Sequence, residues 1–164
     1  MSRDKREVFE ELLDEIRRSQ TATDRFDQAV ADALGINRTD MRCLDTIERE
    51  GPVAAGRLAE ATGLTSGAIT TALDRLERAG FARRISDPSD RRRVLVELTA
   101  SARERTYTFY EPHIAESERA FHRYTREQFE LLLEFVRGSR ELNERHAAEL
   151  ERANREPPGG EVRA

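Results

Sequence analysis

Apolar residues recur at three- and four-residue spacing along most of this chain, and the places where that spacing lapses divide it into elements. Residues 3 to 34 predict one long helix. Val8, Phe9, Leu12, Leu13 and Ile16, then Phe26, Val30 and Leu34, mark its apolar stripe, and Gly35 ends it. Asn37, with Asp40 three residues on, opens a second helix that buries Met41, Cys43, Leu44 and Ile47 and stops at Gly51-Pro52. A short helix over 56 to 62 and a turn at Gly63-Leu64 lead into a fourth helix from Thr65 to Ala79. Its inner face is Ala68, Ile69, Ala72, Leu73 and Leu76. After Gly80 the period changes from helical to two: residues 81 to 86 and 94 to 98 alternate like strands, and Val53 offers them a third edge. A helix capped by Thr99 is expected to reach Tyr124, bent near residues 108 to 112 by Pro112. Thr125 and Gln128 form a capping box for the last helix, whose Phe129, Leu131, Leu132, Leu133, Phe135 and Val136 are the densest apolar cluster in the chain. From Asn154 onward the Pro/Gly tail is expected to be disordered.

The third and fourth predicted helices, joined by a glycine-containing turn, have helix-turn-helix form. The outer face of the fourth carries Thr65, Ser66, Gly67, Thr70, Thr71 and Arg75. Short hydrogen-bonding side chains on a capped helix suit the DNA major groove. The hairpin that follows holds the turn formers Asp87-Pro88-Ser89-Asp90 and then Arg91, Arg92 and Arg93. Seven arginines against three acids between Arg75 and Arg93 leave a local excess of four positive charges.

That excess matters because the whole chain of 164 residues has net charge −4. Positive charge is therefore placed, as a phosphate-binding face requires. A 37% charged composition with few aromatics and no tryptophan fits long exposed helices better than a thick core. Lys5 is the only lysine, which reads as coding bias. No apolar run has the length of a membrane span and no apolar leader is visible, so a cytoplasmic location is expected. Cys43 stands alone, His113, His122 and His146 lack metal-motif spacing, and no nucleophile elbow, Walker loop or dinucleotide fingerprint occurs. No catalytic residue, metal site or cofactor is expected. The terminal helices carry more apolar surface than one small domain can cover, which calls for a second copy.

The runs LAEATGLTSGAITTALDRLERAGFARR and DPSDRRRVLVELT resemble the MarR (multiple antibiotic resistance regulator) family of bacterial transcription factors. The likeness covers about residues 26 to 136. It implies a mainly α fold with a small β-hairpin wing. The winged helix-turn-helix domain of residues 37–98 would be flanked by dimerisation helices, 1–36 and 99–153, with 154–164 as tail. It also implies a homodimer on a pseudo-palindrome in double-stranded DNA. By the same resemblance Ser66, Gly67, Thr70 and Thr71 face base edges and nearby phosphates. Thr65 and the helix N-terminus hold a phosphate, and Arg75 meets backbone or guanine. Asp90 braces the wing tip while Arg92 enters the minor groove, with Arg84 and Arg91 on phosphates.

The resemblance further implies release from DNA by a small phenolic or lipophilic acid, or by cysteine oxidation. A pocket lined by Arg17, Arg42, Tyr110 and His113 is the expected place for a small aromatic or lipophilic ligand. Cys43 reads as a buried small hydrophobe, since the peroxide sensors that the chain resembles carry their cysteine in the first helix. The competing reading is a winged protein-interaction module without specific DNA binding.

Overall fold

The computed structural model of the protein describes residues 3–155, so the expectation for the tail from residue 156 on lies outside the described residues. Six helices and one hairpin follow in the order α1 Lys5–Leu34, α2 Arg38–Glu50, α3 Ala55–Thr62, α4 Ser66–Arg78, β1 Ala82–Ser86, β2 Val94–Leu98, α5 Ala100–Phe121 and α6 Arg126–Arg155. The chain divides into two compact units, one up to His113 and one from Ile114. The boundary, after His113, lies one residue beyond Pro112, which is inside α5 and deprives the Thr108 carbonyl of its helical donor.

The helix ends follow from local chemistry. Asn37 Oδ1 accepts the Asp40 N–H at 2.9 Å to start α2, and Thr65 Oγ1 accepts the Ala68 N–H at 3.3 Å to start α4. Gly80, at φ +74, closes α4: the Phe81 N–H reaches the Leu76 carbonyl at 2.8 Å and the Gly80 N–H reaches that of Glu77 at 3.0 Å. Thr99 both accepts the Ala102 N–H at the start of α5 and donates to the Gly80 carbonyl at 2.7 Å, so one hydroxyl fastens the end of α4 to the start of α5. Thr125 and Gln128 exchange the expected pair of bonds at the start of α6.

The first unit has one core. Val30, Ala31 and Leu34 of α1 meet Met41, Cys43, Leu44 and Ile47 of α2, Leu58 of α3 and Ile69, Ala72, Leu73 and Leu76 of α4. Phe81, Val96 and Leu98 close it from the hairpin and Ala102 from α5. The strands pair antiparallel from Ala82 opposite Leu98 to Ser86 opposite Val94. Val53 adds the third edge, exchanging two backbone bonds with Val96 at 2.8 and 3.0 Å. The N-terminal half of α1 lies outside this core, with Val8, Phe9, Leu12 and Leu13 exposed.

In the second unit no described residue is buried. Phe121, Tyr124 and Phe129 form a chain of ring contacts, but Leu131, Leu132, Leu133 and Val136 are open to solvent. Two boundaries differ from the sequence expectation. α5 ends at Phe121, three residues early, because residues 122 to 124 turn so that Thr125 can cap α6. α6 runs on through Asn154 and Arg155, where a tail was expected.

Cys43 is fully enclosed. Burial first, and the negative charge of Asp40 second, push its thiol up to about 11. A chromogenic disulfide reagent at pH 8 should label Cys43 at least ~100-fold more slowly in the native protein than in denaturant, since thiolate is the reacting form. Equal rates would show an accessible, oxidisable thiol.

Candidate nucleic-acid interface

The outer face of α4 is unobstructed. Ser66, Gly67, Thr70 and Thr71 are exposed, and a Cβ built on Gly67 would meet nothing within 4 Å. The first-turn N–H groups of Ser66 and Gly67 precede any intrahelical acceptor and carry the positive end of the helix dipole, so they can take an anion beside the Thr65 cap. Thr70 and Thr71 donate their hydroxyls to the carbonyls of Ser66 and Gly67, both at 3.0 Å. With the donor spent on backbone, each threonine presents lone pairs and a methyl outward. Such a surface accepts from exocyclic amines and packs on thymine methyls.

Arg75, expected to meet backbone or guanine, is engaged within the protein. Its guanidinium grips the Asp40 carboxylate twice, Nε to Oδ2 at 3.0 Å and Nη2 to Oδ1 at 2.6 Å, and Asp40 is only 3% exposed. Arg75 is therefore a clamp between α4 and α2; the neighbouring carboxylate raises its own pKa further. Arg84 is likewise engaged. It bonds Asp74 at 2.6 Å and pairs with Glu77, tying β1 to the end of α4 instead of standing free for a phosphate. Arg83 pairs with Glu97 across the strands at 2.6 Å.

The turn between the strands is built on two aspartates. Asp87, almost fully buried, accepts the Ser89 N–H at 2.8 Å and the Ser89 hydroxyl at 2.6 Å, and these bonds hold its carboxyl below the usual range. Asp90 accepts the Arg92 N–H at 3.1 Å and its Nε at 3.3 Å. The Arg92 side chain is 92% exposed, so the brace fixes its base and leaves its end in solvent. Arg91 is exposed and joins no ion pair among the described residues. The role that sequence reasoning missed is the Asp40 clamp; Asp87, expected as a turn former, is the anchor of that turn.

Of the four residues expected to line a ligand pocket, Tyr110 and His113 both meet the Phe26 ring, while Arg42 and Arg17 lie elsewhere. Arg42 donates to the Thr62 carbonyl at 2.7 Å, on the α3 side of α2. His113 stacks on Phe26 with ring centroids 4.9 Å apart, and Arg17 is exposed on α1 more than two turns before Phe26. Tyr110 alone of the four lines an apolar cavity of about 550 Å³ between α2 and the first half of α5, floored by Met41, Leu44 and Leu98. Its hydroxyl donates to Asp27 at 2.9 Å; burial first and that carboxylate second hold the phenol in its neutral form. Among the described residues no cluster could hold a metal ion, and no helix is long and apolar enough to cross a membrane.

Comparison with known proteins places this geometry. The model of the MarR family matches residues 36–94. An uncharacterized HTH-type transcriptional regulator of Bacillus subtilis, YcgE, is 37% identical over 136 residues, covering 83% of this chain and 86% of that one. A second from the same organism, YkoM, is 34% identical over 87 residues, 53% of this chain and 56% of its own. Among solved structures, that of MarR is 26% identical with a TM-score of 0.56, over 91% of this chain and 99% of that one. A MarR family protein from Bacillus stearothermophilus shares the fold at a TM-score of 0.61, over 89% and 99% of the two chains, with 19% identity.

The clamp makes a measurable claim. Arg75→Ala strands a buried carboxylate and should cost about 2 kcal/mol in urea unfolding, half-exposure of the guanidinium keeping it below the cost of a fully buried pair. Asp40→Ala together with Arg75→Ala should cost less than the two single changes summed. Additive losses would show that the two side chains do not act as a pair.

Proposed function

Because this chain belongs to the MarR family, and is a DNA-binding transcriptional regulator, we propose that two copies of it grip one duplex as a homodimer. Residues 37–98 form the winged helix-turn-helix domain, 1–36 and 99–153 supply the dimerisation helices, and the protein acts on DNA in the cytoplasm. The uncovered apolar residues of α1, α5 and α6 support the dimer: a second unit without a buried residue needs a partner surface to be stable. Twofold symmetry then presents two α4 helices and two wings to a pseudo-palindromic operator.

The observation that carries the DNA-binding reading is the pairing of an uncovered α4 face with a wing arginine anchored at its base and free at its end. In this reading Ser66, Gly67, Thr70 and Thr71 meet base edges and the phosphates beside them. Thr65 and the helix N-terminus hold a phosphate. Arg91 takes another, and Arg92, set by Asp90, enters the minor groove, where an A·T-rich narrowing attracts a guanidinium. Arg75 and Arg84 act one step back, fixing the angle of α4 and of the wing. A small ligand with an apolar body, bound in the cavity between α2 and α5, releases the protein from DNA.

Fluorescence anisotropy on an operator selected from genomic fragments tests the wing. Arg92→Ala should weaken binding at least tenfold and lower the slope of log affinity against log salt by about one, with sedimentation unchanged. Wild-type affinity in that variant removes the wing from the interface. The dimer is tested separately. Leu132→Asp combined with Val136→Asp should shift sedimentation equilibrium from dimer to monomer and abolish operator binding, whereas a monomeric wild type overturns the assembly.

A further inference from the structure

We propose that the cavity between α2 and α5 selects a lipophilic cation, an ammonium ion on an aromatic or branched apolar body, and discriminates against an acid of the same shape. Its volume of about 550 Å³ suits a small organic molecule. The floor is apolar, formed by Met41, Leu44 and Leu98, each at least nine-tenths buried. Burying an apolar body there gives affinity without sign preference.

The sign comes from the walls and the rim. Asp45, Glu48 and Glu104 line the cavity against one guanidinium, Arg103. That guanidinium is already committed, with Nε 3.0 Å from Glu48 Oε2. Asp45 meets Arg49 along the surface of α2 at 3.1 Å. The Glu104 carboxylate has no ion-pair or hydrogen-bond partner among the described residues, so it is the open counter-charge. Tyr107 and Tyr110 lie one turn apart on α5 and both line the cavity. The Tyr110 hydroxyl is spent on Asp27 and its ring also meets Phe26 edge-to-face, so Tyr107, with 56% of its surface exposed, is the freer of the two rings for a ligand. Aromatic faces attract ammonium groups and repel carboxylates. An entering acid would have to break the Arg103–Glu48 pair and sit beside three carboxylates; an entering cation meets Glu104 with nothing to displace.

The regulatory consequence rests on the reading of this chain as a ligand-released DNA-binding homodimer; the binding preference does not. The test is calorimetric titration of the full chain with a matched set: 1-naphthylmethylammonium, 1-naphthylacetate and the neutral 1-naphthylmethanol. The ammonium compound should bind at least tenfold more tightly than the acid, with the alcohol between them. Glu104→Gln should lower the cation's affinity several-fold while leaving the alcohol's unchanged, and Tyr107→Ala should weaken the cation more than the alcohol. Acid binding as tight as the cation's, cation binding indifferent to both substitutions, or no binding of any of the three, as when a second copy's helix fills the cavity, each overturns the proposal. Operator binding is measured in parallel without ligand. Its absence would defeat the DNA-binding reading while the titrations still decide the cavity's preference. Cation binding that leaves operator affinity unchanged would defeat ligand release alone.

Discussion

A carboxylate with 3% exposure has to be met by a partner, and Asp40 is met by Arg75 through two short bonds. Much of the site geometry depends on that meeting. Hydrophobic contacts between α2 and α4 are non-directional: the stripe of Ile69, Leu73 and Leu76 could slide or roll on Leu44 and Ile47 at modest cost. A bidentate guanidinium–carboxylate pair is directional, and it fixes both the rotation and the axial position of α4. The face presented to solvent by Ser66, Gly67, Thr70 and Thr71 follows from that setting. Arg38, paired with Asp24, ties the same first turn of α2 to α1. One helical turn thus joins α4 to α1.

The arrangement also explains how an acidic protein handles a polyanion. Three of the arginines around the site are paired in place: Arg75 with Asp40, Arg83 with Glu97, and Arg84 with Asp74 and Glu77. A cluster left wholly free would bind any duplex through phosphates and gain little discrimination. Pairing turns these three cations into struts. Arg78 and Arg91 stay exposed without an ion pair among the described residues, and Arg92 keeps its end in solvent beyond its Asp90 brace, with the helix dipole of α4 adding a partial charge at Thr65.

The architecture was legible in the sequence because its signals are local. The caps at Asn37, Thr65 and Thr125, the closing glycines at 35, 51, 63 and 80, and the change of period after Gly80 each specify a backbone state within a few residues. The roles of Arg75 and Arg84 were less legible, because a charged side chain's partner depends on which helix lies opposite. A hint was present. Asp40 shares the i, i+4, i+7 stripe with Leu44 and Ile47, and Arg75 shares one with Ala68 and Ala72. A charge on the buried stripe of α2 facing one at the edge of the α4 stripe is an ion pair in waiting, and each had been assigned by the habit of its type, the aspartate to a cap and the arginine to DNA. The expected ligand-pocket residues are a related case: Arg42 bonds the end of α3 and Tyr110 bonds Asp27 of α1, and spacing along one helix cannot say which side another helix will fill.

The division of the chain at Pro112 separates two kinds of stability. The first unit buries a continuous core and can hold its own shape. The second has apolar rows on α6 with nothing described covering them, and two helices without a buried side chain cannot offset the entropy of ordering them. If a second copy covers those rows, assembly and the folding of that unit are one equilibrium, set by protein concentration. The same equilibrium then governs DNA affinity, because two α4 helices reach successive grooves only when the outer helices hold them at a fixed spacing. A ligand that acts between α2 and α5 need not touch the recognition face. Shifting α5 against α2 would alter the spacing between half-sites, and a mismatch with one helical turn is enough to lose the second grip.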